Sequence, residues 1–241
     1  EVYLGKRGRL NPIASIKYIS ERENLSKNWK IIGLIGILAG ILILSYYSVI
    51  AGWTMAYATR AAFGVINNID AVGAASMFNN FVSDPERLLA WHTIFLIMTA
   101  IVVSKGVKSG LESAVLRLMP ALLVLLLALV IFSAIEGDFA NGVKFMLYPD
   151  FSQVTWKTVL IAMGQAFFSL SLGMGALMVY GSYLSSDISI PQTCVIVASL
   201  DTLVALLAGL AIFPIVISSG LEMTQGPGLI FQTLTVAFGA M

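Results

Sequence analysis

Asp201 and the run Ser169-Leu-Ser171-Leu-Gly173-Met174-Gly175 are the residues of this chain whose types and placement could do chemistry. Both lie deep in apolar stretches where a plain lipid anchor would carry leucine and valine. A carboxylate at the centre of a membrane helix costs at least about 2.5 kcal/mol on insertion scales, so it faces a bundle interior and has a partner or a function. No Lys or Arg follows Lys157, so no basic residue of the last third neutralises it. Asp201 therefore stays protonated, pairs with a group from elsewhere in the protein, or binds a cation. The Ser/Gly run predicts a broken helix. Backbone that leaves the helix at membrane depth exposes N–H and C=O groups that lipid cannot satisfy, so it is tolerated only where it lines a protein cavity or binds something. Freed carbonyls suit a small cation, and freed amides at the second half-helix suit a carboxylate. The plainer alternative is a stripe of small residues that lets another helix approach closely.

Oxygen ligands of this kind suit a hard monovalent cation rather than a transition metal. The predicted spans hold no second acid, no nucleophile beside a base and no metal-ligand cluster, so hydrolysis and redox chemistry have nothing to work with and no enzyme is expected. Cys194 is the only cysteine, which precludes an internal disulfide, and His92, the only histidine, stands at the head of an apolar run as a boundary residue. The 241 residues are 58% hydrophobic and 11% charged with net charge +1, and the mean hydropathy is +0.90. These values describe an all-α, polytopic transmembrane protein and give no reason to expect nucleic acid as a partner. The chain opens at Glu1 without an initiator Met and stops directly after its last segment, so a piece of a longer transporter or channel is expected.

Several elements must position the chemistry. Residues 1–30 carry seven of the fourteen Lys and Arg and are expected in the cytoplasm, with Pro12 to Ile19 patterned as a short helix against the membrane surface. Spans are expected over 31–62, 88–105, 106–135 (with its lead-in), 158–184 (the broken one) and 190–217. Outer connections follow at 63–87 and 136–157, and an outer amphipathic segment at 218–241, after the Gly226-Pro227-Gly228 break. Gly33, Gly36 and Gly40 form one small face suited to close packing. Ile43 and Tyr47 share another face one turn apart. Pro120 and Gly110 weaken the cytoplasmic end of the third span, through unwinding or an ordinary kink. At roughly 1.5 Å of rise per residue, Tyr47, Ser169 to Gly175 and Asp201 all fall near the bilayer midplane.

The chain resembles the neurotransmitter:sodium symporter family, in its bacterial amino-acid-transporting branch. The motifs are Ser45-Tyr46-Tyr47 followed by Trp53, Ser104-Lys105-Gly106, Gly110 and Pro120 with nine residues between them, Tyr148-Pro149-Asp150-Phe151, and Gly164-Gln165-Ala-Phe167-Phe168-Ser169-Leu-Ser171-Leu-Gly173-Met174-Gly175. The resemblance covers nearly the whole chain and implies a partial LeuT-like fold, helices three to seven of twelve, in the inner membrane of a cell. It implies that Tyr47 holds a substrate carboxylate beside Ile43. Phe168 would lid the substrate, and Ser169, Ser171, Gly173 and Met174 would line its pocket. Ser169 and Asp201 would ligate sodium. Tyr183 would belong to the cytoplasmic gate, and Gly110 to Pro120 would unwind to release the inner sodium. Asp201 stands where Asn is familiar, Ala205 where an acid is, and Met174 where an aromatic is. The first two suggest that the charge has moved by one turn and that chloride is not needed, and the third a more adaptable pocket wall.

The function expected is thus sodium-coupled symport of a hydrophobic or aromatic amino acid by alternating access. A proton-coupled carrier using Asp201 and a non-transporting membrane interaction segment are the alternatives. Sodium, an amino acid and membrane lipid are the expected partners, together with family helices one, two and eight onward. The first and eighth supply further ligands, so these residues alone are not expected to transport.

Overall fold

The computed structural model describes residues 1–148, 150–220, 226 and 229–239. Among them the regular elements are all helical: α1 (Val2–Gly8), α2 (Pro12–Arg22), α3 (Lys30–Ala62), α4 (Ala71–Val82), α5 (Pro85–Ser104), α6 (Ser113–Glu136), α7 (Phe139–Leu147), α8 (Trp156–Ser169), α9 (Ala176–Tyr183), α10 (Ile190–Ser218) and α11 (Leu234–Gly239). Four stretches are long and apolar enough to cross a membrane: Lys27–Ala62, Pro85–Ser104, Ser109–Glu136 and Ile190–Ser218. Pro149, Pro227 and Gly228 lie outside the described residues, and with them parts of the Tyr148 to Phe151 motif and of the expected break before the last segment.

Local chemistry starts these helices. Asn11, Asp70, Asp84 and Asp138 each accept a backbone amide at an N-terminus, from Ala14, Gly73, Arg87 and Asn141, and Pro12 and Pro85 occupy the first helical positions. The connections over 63–87 and 136–157 therefore carry helices of their own, α4 and α7. Residues 1–30 contain two helices, α2 over the expected Pro12 to Ile19 and α1 ahead of it. The apolar side of α2 is packed against protein, with Ile16 8% and Ile19 9% exposed.

The chain forms two compact units, Glu1–Tyr46 with Asp150–Val204, and Tyr47–Pro149 with Ala205–Met241. In the first, α1 runs along α9 at backbone contact. A side chain at Gly5 would overlap the Met178 carbonyl, and one at Gly181 the Val2 carbonyl. Lys6 Nζ donates to the carbonyls of Ser186 (3.1 Å) and Ile188 (2.7 Å), and Arg9 Nη1 to Ser182 (3.2 Å). Cations thus cover the carbonyl-rich C-terminal end of α9 and the turn after it. Arg7 pairs with Glu23, which holds its guanidinium above the usual range.

In the second unit, Trp53 and Tyr57 of α3 pack with Phe78, Phe81 and Phe231. Pro214 inside α10 has no N–H to offer the Leu210 carbonyl, and the Ser133 hydroxyl donates to that carbonyl instead at 3.0 Å. The Pro214 carbonyl in turn accepts the Asp138 amide at 3.0 Å.

Candidate functional site around the break between α8 and α9

The apolar run from Trp156 to Tyr183 is two helices, with residues 170–175 leaving the helical path between them. Thr155 starts the first with a capping box to Thr158. The end of α8 is closed by two crossed bonds, Ser171 N–H to Phe168 O (3.1 Å) and Leu172 N–H to Phe167 O (2.9 Å). This is a Schellman closure, which places its C′ residue in the left-handed region where glycine is usual. Here that residue is Ser171, at φ 55°, and Gly173 (φ 86°) and Gly175 (φ 75°) continue the turn. A non-glycine residue held there costs of order 1–3 kcal/mol and persists only where its surroundings impose it.

Two further groups impose it. Gly36 of α3 faces the broken backbone so closely that an added Cβ would stand 3.2 Å from the Gly173 oxygen and 3.3 Å from the Gly175 nitrogen. The small face of α3 thus admits unwound chain, where the glycine spacing suggests a regular helix as the partner. The Gly173 amide donates to Glu1 Oε1 at 2.6 Å, and Glu1 Oε2 is buried with no partner among the described residues. A second acid, from outside the expected spans, thus reaches the broken span, and one amide freed by the break meets a carboxylate of the protein itself. Glu1 escapes the sequence because it stands alone at the head of α1, with no periodic context and no neighbour to mark it.

Across the break, the Ser169 hydroxyl donates to Asp201 Oδ2 at 2.6 Å. The last residue of α8 and the middle of α10 are thereby joined through two oxygen-bearing side chains. A cavity of about 320 Å³ opens beside them, lined by Ser169, Ser171, Tyr180, Thr193 and Asp201 among mainly apolar neighbours. Its oxygens are hydroxyl and carboxylate, the donor set of a hard monovalent cation. Among the described residues no three His, Cys, Asp or Glu side chains cluster as a metal site.

The first unit also holds Ile43 on α3, Phe168 on α8, Gly173 and Met174 in the break, and Tyr183 as the last residue of α9, 60% exposed. Tyr47, Gly110 and Pro120 belong to the second unit. Tyr47 follows Ile43 by one turn on the unbroken α3. Gly110 lies in a π-helical stretch, Val107–Glu112, that precedes α6, whereas Pro120 sits inside continuous α6. The lead-in is therefore already off the α-helical path at Gly110, and the helix persists at Pro120.

Over 99% of its length the fold matches the crystal structure of MhsT in complex with L-phenylalanine, with a TM-score of 0.87 and 41% identity, covering 53% of that chain. The sodium-dependent transporter YhdH of Bacillus subtilis is 36% identical over 238 residues, 99% of this chain and 52% of the relative. The sodium-dependent nutrient amino acid transporter 1 of Drosophila erecta is 35% identical over 144 residues, 56% of this chain and 21% of the relative. The chain spans about half the length of the first two of these proteins. Residues 76–240 match the sodium:neurotransmitter symporter family, and with the MhsT-like, LeuT-type fold around a broken helix, the chain belongs to that family.

Proposed function

We propose that this chain forms the part of a sodium-coupled amino-acid symporter that holds one sodium ion and one wall of the substrate site. The observation that carries the reading is the Ser169–Asp201 hydrogen bond at a helix break. Sodium takes the Ser169 hydroxyl and the Asp201 carboxylate as ligands, and the rest of the protein completes its shell. Once bound, the ion fixes the end of α8, and with it Phe168, so that substrate meets an ordered site. Coupling then follows from differential affinity, since sodium favours the conformation that binds substrate.

The substrate is a hydrophobic or aromatic amino acid. Ile43, Phe168, Ser171, Gly173 and Met174 form its wall, and Tyr47 keeps the carboxylate-binding role that the resemblance implies. Met174 gives the pocket a pliable surface. MhsT binds L-phenylalanine, as its structure's description states, which favours the same class here. Tyr183 serves the cytoplasmic gate, and the loosened Gly110 lead-in, with Pro120, serves release of the inner ion. Residues 1–30 face the cytoplasm in this arrangement.

The test is uptake of labelled L-phenylalanine and L-leucine by the full-length protein in proteoliposomes. Sodium gradients are compared with potassium and with proton gradients, in the native protein and in Asp201→Asn. Uptake that needs sodium, and whose half-saturating sodium concentration rises beyond the accessible range in Asp201→Asn, supports the proposal. Uptake driven by a pH gradient and indifferent to sodium overturns it in favour of a proton carrier.

A further inference from the structure

Trp53, Tyr57 and Arg60 follow one another at i, i+4 and i+7, so they share one face of the last turns of α3. That face is enclosed by aromatic rings. Trp53 lies 5.7 Å from Phe78 and 5.6 Å from Phe231, and Tyr57 lies 5.0 Å from Phe231 and 5.9 Å from Phe81. Phe81 and Phe231 are 1% exposed and Tyr57 9%. The guanidinium carbon of Arg60 stands 4.5 Å from the Phe81 ring centre and 5.1 Å from that of Tyr57, so the cation rests on two ring faces.

Three polar atoms on this face, Trp53 Nε1, the Tyr57 hydroxyl and Arg60 Nη1, are buried without a well-formed hydrogen bond among the described residues, although Arg60 and the Tyr57 hydroxyl interact with each other. Ring faces attract a cation but offer its N–H groups no lone pair of the ordinary kind. Indole and guanidinium only donate, so what this pocket demands is an acceptor. Beside a half-buried cation whose Nη1 is shielded from solvent, the acceptor that offsets most of that cost is an anion. Asp70 and Asp84, which flank α4, are engaged as caps of the Gly73 and Arg87 amides.

We propose that Tyr57 and Arg60 form an anion site at the C-terminal end of α3, with the Trp53 N–H at its edge, that takes a single carboxylate or a single halide ion. The two sources are an acidic side chain of the full-length protein outside the described residues and a free halide. The site is separate from the Ser169–Asp201 centre and does not rest on the transport reading.

The test is thermal unfolding of the purified full-length protein in sodium chloride and in sodium gluconate, for the native protein, Arg60→Met and Tyr57→Phe. With a halide occupant, the native protein melts roughly 3 °C or more higher in chloride. That difference disappears in Arg60→Met and shrinks in Tyr57→Phe, and bromide gives an anomalous peak beside Arg60. With a carboxylate from the rest of the protein, the native protein is indifferent to the salt and both variants melt lower in both salts. Tyr57→Phe removes only the hydroxyl and keeps the ring packing, so a native melting temperature for it in both salts overturns the proposal whatever Arg60→Met does. Arg60→Met melting at or above the native protein in both salts overturns it too, since that is the response of a half-buried cation with no partner to lose.

Discussion

Replacing Ser169 by alanine removes one hydroxyl from the broken span and leaves the bonds that close α8, which are all main-chain, in place. That hydroxyl donates to Asp201 Oδ2 at 2.6 Å. A hydrogen bond to an ionised group contributes about 1.5–3 kcal/mol. The lower half of that range applies beside an open cavity, and about 1.5–2 kcal/mol corresponds to roughly 10- to 30-fold in an equilibrium constant. If the two side chains hold sodium together, alanine strips one ligand and frees the other to turn away. The sodium concentration for half-maximal uptake should then rise about 10- to 30-fold, with a smaller change in the rate at saturating sodium. Asp201→Asn keeps the shape and an oxygen acceptor but removes the charge. A unit charge 4 Å from a cation at an effective dielectric of 20 is worth about 4 kcal/mol, so sodium saturation should move out of the accessible range. The assay is uptake by the full-length protein with sodium titrated against potassium at fixed membrane potential. The double variant should be markedly non-additive, because the two groups act on one ion. A Ser169→Ala protein with native sodium half-saturation and a lower maximal rate would refute the reasoning. It would show that the bond braces the fold and holds no ion.

Gly181→Ala places a methyl group on the Val2 carbonyl. It should destabilise the α1–α9 pair by about 1–3 kcal/mol, as overpacking does, and an unchanged melting temperature would mean that α1 yields. Ser133→Ala strands the Leu210 carbonyl that Pro214 leaves unpaired, at a cost of about 1–3 kcal/mol. The same change in a Pro214→Ala background should cost less, because the new amide satisfies that carbonyl, and equal costs by denaturation would exclude this account. The Asp187 carboxyl is held below the ordinary carboxylate range, chiefly by the Ser185 hydroxyl and then by its own amide, with a weaker contribution from Lys6. A depressed folded value means that its contribution is complete above the unfolded value of about 3.9 and fades as pH falls through the lower folded one. Amide exchange in the turn at 185–188 should therefore be level from pH 8 to 5 once intrinsic rates are removed, and accelerate only under stronger acid. An acceleration at neutral pH, or one that survives Asp187→Asn, would assign the step to another group.

The break between α8 and α9 is legible because small residues where lipid demands leucine are an anomaly of composition, readable without knowing what they touch. Asp201 is legible for the same reason. The partners of these groups are not, since contacts between residues 172 apart in sequence, such as Gly173 with Glu1, leave no local pattern. Gly36 announces a close approach but is silent on whether a helix or an unwound strand approaches, because only the absence of a Cβ is encoded. The helices α4 and α7 are obscured by their polar surroundings, although Asp70 and Asp138 carry the cap signal. Pro214 reads as one more apolar residue in a long span, and only the Ser133 hydroxyl at its freed carbonyl shows that the kink is secured.

The cost of breaking a helix inside a bilayer explains why these contacts occur together. The crossed bonds to Phe167 and Phe168 satisfy the last carbonyls of α8, and Glu1 satisfies the Gly173 amide. Gly36 lets α3 approach the segment at backbone contact. With those backbone groups met by protein, the Ser169 hydroxyl is left for a side-chain task, and it is aimed at a carboxylate that has no Lys or Arg after Lys157 to offset it. A purely structural serine would be expected to return its proton to a carbonyl one turn back, as Ser45 and Thr202 do in their own helices. Ser169 instead reaches across to α10, and Ser171 carries the strain of a left-handed turn that keeps it there. Backbone strain held beside two facing oxygens is the feature on which the proposed sodium site rests.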